Sequence, residues 1–189
     1  MIPLDYDGPF ETERLLLRLP TLDDTDAVYA YQSREDVCEF LPYAPRSREE
    51  VAEKLERNAA ITRLENDGDF WLLPLERRDD GRVIGEVMLR ITSAALSGGE
   101  IGWVLHPDAH GKGYANEAAR AVLELAFDRV ALHRVVAELD PRNAASVALC
   151  ARLGMREEAH FVKNFPLPDG SWGDTGIHAI LAEEWRAAR

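Results

Sequence analysis

Apolar residues in this chain fall in short bursts, and the spacing inside each burst separates strands from helices. Glu13-Arg14-Leu15-Leu16-Leu17-Arg18 reads as a first strand. Thr21-Leu22-Asp23-Asp24 then offers a hydroxyl followed three residues later by an acid, which predicts a capped helix running to about Arg34. Ser47-Arg48-Glu49-Glu50 repeats that signature ahead of Val51, Ala52, Leu55 and Ala59, which share one helical face. Phe70 to Glu76 and Arg82 to Ile91 read as two strands joined at Asp79-Asp80-Gly81, where glycine tolerates positive φ. Pro74 has no N–H for a ladder, so its strand is expected at an edge or at a bulge.

From Glu100 onward strands and helices alternate. Ile101 to Leu105 is a short apolar strand stopped by His106-Pro107. The loop His110-Gly111-Lys112-Gly113 leads into a helix carrying Ala118, Ala119, Val122, Leu123, Ala126 and Phe127 at helical spacing. Arg134 to Leu139 is a strand, and Asp140-Pro141-Arg142-Asn143 precedes a helix over Ala144 to Leu153, with Gly154 placed as its C′ residue. Two further strands, around Met155 to Phe165 and Thr175 to Leu181, flank a turn at Pro168-Asp169-Gly170. The order β-α-α-β-β-β-α-β-α-β-β suits an α/β fold of the α+β kind, one mixed sheet with helices on both faces. No repeat, low-complexity tract or linker divides it, so 1–189 is expected to be one domain.

Composition narrows the function. A chain of 189 residues, 46% hydrophobic and 30% charged, is long enough to bury a core without a metal or disulfide staple. The net charge of -12 and the lack of any Lys/Arg cluster argue against a nucleic-acid or anionic-membrane binder. The longest apolar runs fall far short of a membrane span, and Met1 to Asp5 does not look like a secretory signal. Cys38 and Cys150 have no paired spacing and read as core thiols, so a cytoplasmic protein is expected.

Chemistry concentrates where strand, Gly-rich loop and helix meet. A helix N-terminus leaves backbone N–H groups unpaired and carries partial positive charge. Gly111, Gly113 and Ala115 would let a phosphate reach those amides without meeting a bulky side chain, and Lys112 adds a point charge. There is no GxxxxGK[ST] and no GxGxxG with a distant acid. On its own, the Gly-x-Gly spacing is equally a device for a tight turn.

The wider context resembles a known family. Ile101-Gly102-Trp103-Val104-Leu105-His106-Pro107 followed by His110-Gly111-Lys112-Gly113-Tyr114-Ala115-Asn116-Glu117-Ala118 resembles the acetyl-CoA motif of the GNAT superfamily of N-acetyltransferases. Glu13 to Arg18, Asn143-x-x-Ser146 before Leu153-Gly154-Met155, Trp172-x-Asp174 and Glu184-Trp185 look like its RimJ/RimL branch, the ribosomal-protein N-terminal acetyltransferase relatives. The resemblance implies a GNAT fold, a mostly antiparallel sheet splayed into a V between the fourth and fifth strands, with acetyl-CoA in the opening. Backbone groups of Val104 and Leu105 would pair with the pantetheine amides, and those of Gly111, Lys112, Gly113, Tyr114, Ala115 and Asn116 would hold the pyrophosphate. His110 stands where the wider superfamily has Arg or Gln, which leaves its side-chain role open. Family members are often homodimers, which the resemblance extends to this chain.

Three side chains need weighing. Asn143 is a good helix N-cap and also a cofactor contact by resemblance. Ser146 would sit in the first helical turn, and the resemblance puts its hydroxyl near the thioester sulfur, where it could return a proton to the leaving thiolate. Glu100 is either an exposed strand-end carboxylate or the general base for the substrate amine. A carboxylate of ordinary pKa, about 4.3, deprotonates a peptide α-amine near 7.7–8.0 more readily than a lysine near 10.4, which favours an N-terminal or other weakly basic acceptor. No metal site is expected, because His106 and His110 sit in a loop without a zinc-binding pattern. The expected activity is direct acetyl transfer from acetyl-CoA to a primary amine, either a protein N-terminus or a small amine. The alternative is a non-catalytic acyl-CoA-binding or sensor domain on the same fold.

Overall fold

Alternating apolar residues form the strands of a central sheet, and a computed structural model describes residues 1–168 and 170–189. In chain order the elements are β1 (Leu4–Asp5), β2 (Phe10–Glu11), β3 (Leu15–Leu17), α1 (Thr25–Gln32), α2 (Glu35–Cys38), α3 (Arg48–Ala59), β4 (Arg63–Leu64), β5 (Phe70–Arg77), β6 (Val83–Ser93), β7 (Gly98–Leu105), α4 (Tyr114–Glu124), β8 (Arg134–Leu139), α5 (Ala144–Arg152), β9 (Arg156–Pro166), β10 (Trp172–Leu181) and α6 (Ala182–Ala187). Eight strands form one sheet in the order β2-β3-β5-β6-β7-β8-β10-β9, and β1 pairs separately with β4. All neighbours in the sheet are antiparallel except β7 and β8, which run parallel with α4 as their crossover.

The β7–β8 pair is held at three positions only, Gly98–Arg134, Gly99–Val135 and Glu100–Val136. Beyond Glu100, β7 continues to Leu105 along β6 alone, while β8 continues along β10. The sheet therefore opens into the expected V between the fourth and fifth predicted strands. Its two faces are covered differently. Ile101 and Leu105 join the main core with Ala118, Ala119, Val122 and Leu123 of α4. Val104, one residue out of phase, packs with Val28 and Tyr31 of α1 and Val51 and Leu55 of α3.

Local signals were met in varying detail. Ser47 caps α3 as predicted, its Oγ accepting from the Glu50 N–H at 3.2 Å while Glu50 Oε2 accepts from the Ser47 N–H at 2.7 Å. Leu153-Gly154-Met155 closes α5, with Gly154 at φ +82° and the Met155 N–H reaching the Cys150 carbonyl at 2.9 Å. The helix predicted from Thr21 to Arg34 is instead a short 3₁₀ turn over Leu22–Asp24, then α1 and α2 with a break at Ser33-Arg34. Asp24 explains the uneven start: its carboxylate accepts from the Thr21 N–H at 2.8 Å but is also gripped by Arg18 at 2.6 Å. Pro74 lies in an interior strand, not an edge. It is accommodated because β3 stops at Leu17, opposite Leu75, and because the β5–β6 register slips between Pro74 and Glu76. The predicted turn Pro168-Asp169-Gly170 includes Asp169, outside the described residues. Among the described residues no helix is long and apolar enough to cross a membrane.

Candidate active site at the sheet opening

The loop that leaves β7 is built by its own backbone constraints. Pro107 to Ala109 forms a 3₁₀ turn, and Gly111 and Gly113 take left-handed conformations at φ +72° and +83°. Only glycine adopts these angles without penalty, so the tight-turn reading of Gly-x-Gly holds. The ligand reading stands beside it. A side chain at Gly111 would project into open space, and Gly113 is the N-cap of α4, so its helix presents unpaired N–H groups there. His110 folds back on its own loop, its Nε2 lying 3.1 Å from the Leu105 carbonyl oxygen, which makes it a brace for the loop. His106 Nδ1 accepts from the Asp108 N–H at 3.1 Å.

Arg14 clamps the loop from the first predicted strand. Its Nη1 donates to the Lys112 carbonyl at 3.0 Å, and its Nε donates to Glu117 in the first turn of α4 at 2.7 Å. Its guanidinium lies 4.5 Å from the centre of the Tyr114 ring. On the other side, Arg77, Arg82 and Lys112 line a cavity of about 40 Å³ with His106 and Tyr114. A phosphate-sized anion at this loop would meet helix amides, Lys112 and Arg82, and an Arg77 already paired with Asp79 and Asp80, with Asp108 also in the lining. Among the described residues, the buried Asn116 Oδ1 in the same helix turn finds no hydrogen-bond partner. It is an unmet acceptor that an N–H or O–H of a ligand would satisfy.

Across the opening, Asn143 caps α5, its Oδ1 accepting from the Ser146 N–H at 3.1 Å. The Ser146 hydroxyl accepts from Trp103 Nε1 at 3.1 Å. Glu100 sits at the last paired position of β7, facing Arg90 at 3.3 Å and with its side chain 18% exposed. Burial raises its carboxyl pKa, Arg90 offsets part of that rise, and the nearby Glu138 carboxylate adds to it. Glu100 is thus not the open strand-end carboxylate of the alternative expectation. It shares a sheet face with Gly102 and Val104, whereas Trp103 faces α4 and α5.

A polar cluster went unpredicted. Glu86, 3% exposed and paired across the ladder with Val104, accepts from Lys54 Nζ at 2.6 and 2.9 Å and from Gln32 Nε2 at 2.8 Å. Gln32 Oε1 in turn accepts from Arg46 at 2.9 Å. Two sequence signals pointed there: Glu86 interrupts the apolar run Val83 to Ile91, and Lys54 lies three residues after Val51 on the buried face of its helix. Both cysteines are buried, and burial pushes the Cys150 thiol up to about 12, far from nucleophile chemistry.

Residues 14–156 match the model of the acetyltransferase (GNAT) domain. The chain belongs to the GNAT acetyltransferase family. It is similar to the uncharacterised N-acetyltransferase YnaD of Bacillus subtilis (strain 168), 35% identical over 174 residues, covering 92% of this chain and 97% of that one. The crystal structure of a GNAT-family acetyltransferase from Bacillus anthracis superposes with a TM-score of 0.82 at 31% identity, covering 93% of this chain and 99% of the other. A [ribosomal protein uS5]-alanine N-acetyltransferase of Escherichia coli (strain K12) is 26% identical over 183 residues, covering 94% and 93% of the two chains. As a GNAT member the chain is an acyltransferase, and the RimJ-like relatives agree with the branch its motifs resemble.

Proposed function

We propose that this chain is an acetyl-CoA-dependent N-acetyltransferase that moves an acetyl group directly to a primary amine, and that 1–189 works as one catalytic domain. The observation that carries the reading is the sheet opening itself. On one side it is bounded by a glycine loop at a helix N-terminus with Arg77, Arg82 and Lys112 beside it, and on the other by Ser146. Val104 and Leu105 would pair with pantetheine, and the loop from His110 through Asn116 would hold the pyrophosphate. Asn143 would order the far side, and the Asn116 side chain would gain its missing partner. When bound, the thioester supplies the activated acetyl group.

The chain's own groups then divide the work. A backbone N–H on the Val104–Leu105 stretch stabilises the oxyanion. Glu100, with its raised pKa, accepts the amine proton, and Ser146 returns a proton to the sulfur. Both reactants share one cleft, so proximity supplies much of the rate without a covalent enzyme intermediate. The acceptor approaches from the Glu100 face, between the Glu86 cluster and Arg90. The relative that acts on a ribosomal-protein alanine supports a protein N-terminus as acceptor, and a small amine is the second candidate. We place the enzyme in the cytoplasm, with no metal and no nucleic acid or membrane partner, and with a homodimer as its assembly. A panel of N-terminal peptides and small amines should reveal amine-dependent release of free CoA thiol, with the acetylated product identified by mass. Tight acetyl-CoA binding with no turnover across the panel would instead identify a sensor domain.

A further inference from the structure

We infer that Trp103 is a positioning residue that sets the direction in which the Ser146 hydroxyl gives up its proton. The inference rests on the role proposed above for Ser146 and adds a residue to it. Trp103 lies on the free stretch of β7, three residues past the last pairing with β8. Ser146 lies across the opening, in the first turn of α5. The 3.1 Å bond from the indole Nε1 to Ser146 Oγ is thus a side-chain bridge across the splay where the backbone ladder is missing.

An indole N–H can only donate, and a serine hydroxyl has one proton and two lone pairs. With one lone pair taken by Trp103, the Ser146 proton points away from the indole. The Ser146 backbone is fixed as well, since its N–H donates to Asn143 Oδ1. Accepting one bond also polarises the hydroxyl and makes it a better donor in the next. In the transfer step the amine nitrogen bonds to the acetyl carbon and the carbon–sulfur bond breaks. The amine proton passes to Glu100 and from there to solvent, while the Ser146 proton passes to sulfur as the serine oxygen takes one from water, so both groups end as they began. A leaving thiolate gains only if that proton is aimed at it.

The test is a double-mutant cycle read in kcat and KM. Trp103→Phe removes the donor and keeps an aromatic ring. It should lower kcat about 10-fold while the KM for acetyl-CoA changes less than about twofold. In the Ser146→Ala background the same change should cost nothing further. An equal loss in both backgrounds would mean that Trp103 acts by packing, and would overturn the proposal. If Ser146→Ala retains wild-type kcat while amine-dependent CoA release continues, the serine role fails and this inference with it, but the transferase reading stands. A second measurement does not depend on the Trp103 variant folding. The indole N–H resonance of Trp103 should move when Ser146 becomes Ala, and an unmoved resonance would show that the bond is absent.

Discussion

Glu100 is a half-buried acid on the sheet face proposed for the acceptor, and that placement has opposite consequences for activity and stability. As the base, it works when ionised, so Glu100→Gln should cut turnover about 10²–10⁴-fold with acetyl-CoA affinity nearly unchanged. Alkaline pH should restore part of the rate, because more amine arrives already deprotonated. For stability the sign reverses. The folded pKa lies above the unfolded one, so the folded chain holds its proton more tightly. Its contribution is favourable at acid pH and is lost as pH rises through the folded value. Glu100→Gln should therefore leave the neutral-pH thermal midpoint unchanged or higher, as a melt at pH 7 would show. Wild-type turnover in the Gln variant across pH 6–9 (a range bracketing the α-amine reference near 7.7–8.0) would leave proton acceptance to water. The glycine loop invites a second test. Gly111 has φ +72° and open space at its Cβ position, and Asn and Asp both tolerate that conformation. Gly111→Asp should weaken acetyl-CoA binding at least about 10-fold relative to Gly111→Asn, since charge beside a pyrophosphate is all that separates them. Calorimetry giving equal affinities would remove the phosphate from this loop.

Between residue and fold, the elements show what sequence could and could not disclose. The strand-loop-helix of β7 and α4 was legible because glycine, proline and helical spacing each act locally. So were the caps at Ser47 and Asn143 and the closure at Gly154. Partners that meet only through folding were not legible: Arg14 with the Lys112 carbonyl is a pairing across 98 positions, and Trp103 with Ser146 across 43. Glu86 belongs to this second kind, and its pairing makes a sharp prediction. Glu86→Ala strands the buried Lys54 ammonium and should cost about 3–5 kcal/mol. Adding Lys54→Met should recover most of that, because an apolar pair is often no worse than a buried ion pair. Urea midpoints of the three variants would check it, and no recovery in the double variant would mean that Gln32 and Arg46 depend on Glu86 more than Lys54 does. Gly85 sets a different constraint. A Cβ there would stand 2.5 Å from the Val104 carbonyl oxygen and 2.9 Å from the Leu105 Cα. Gly85→Ala should therefore displace the stretch assigned to pantetheine, raising the KM for acetyl-CoA along with a stability loss of about 1–3 kcal/mol.

At the scale of the whole molecule, the sheet is stitched by long antiparallel ladders on either side of a pair that holds at only three positions. On a chain of net charge -12, Arg82 and Lys112 beside the glycine loop favour approach of a polyanionic ligand from that end. The splay followed from the motif resemblance, whereas the pattern of residues alone reached the element order and a mixed sheet but not the order of strands within it. A ladder that stops after Glu100 leaves the rest of β7 with a neighbour on one side only, and on the reading proposed here the pantetheine chain occupies the other side as a ninth, non-protein strand. Ligand binding then becomes part of folding. At a free concentration about 100 times Kd, acetyl-CoA should add about 2.7 kcal/mol, a rise of about 5–10 °C in a thermal melt, and should slow amide hydrogen exchange along Gly102 to Leu105 more than in β5. In a cell the same linkage would tie this protein's lifetime to its supply of substrate. If acetyl-CoA fills the split, a chain without it would be cut faster in limited proteolysis than the same chain saturated with it.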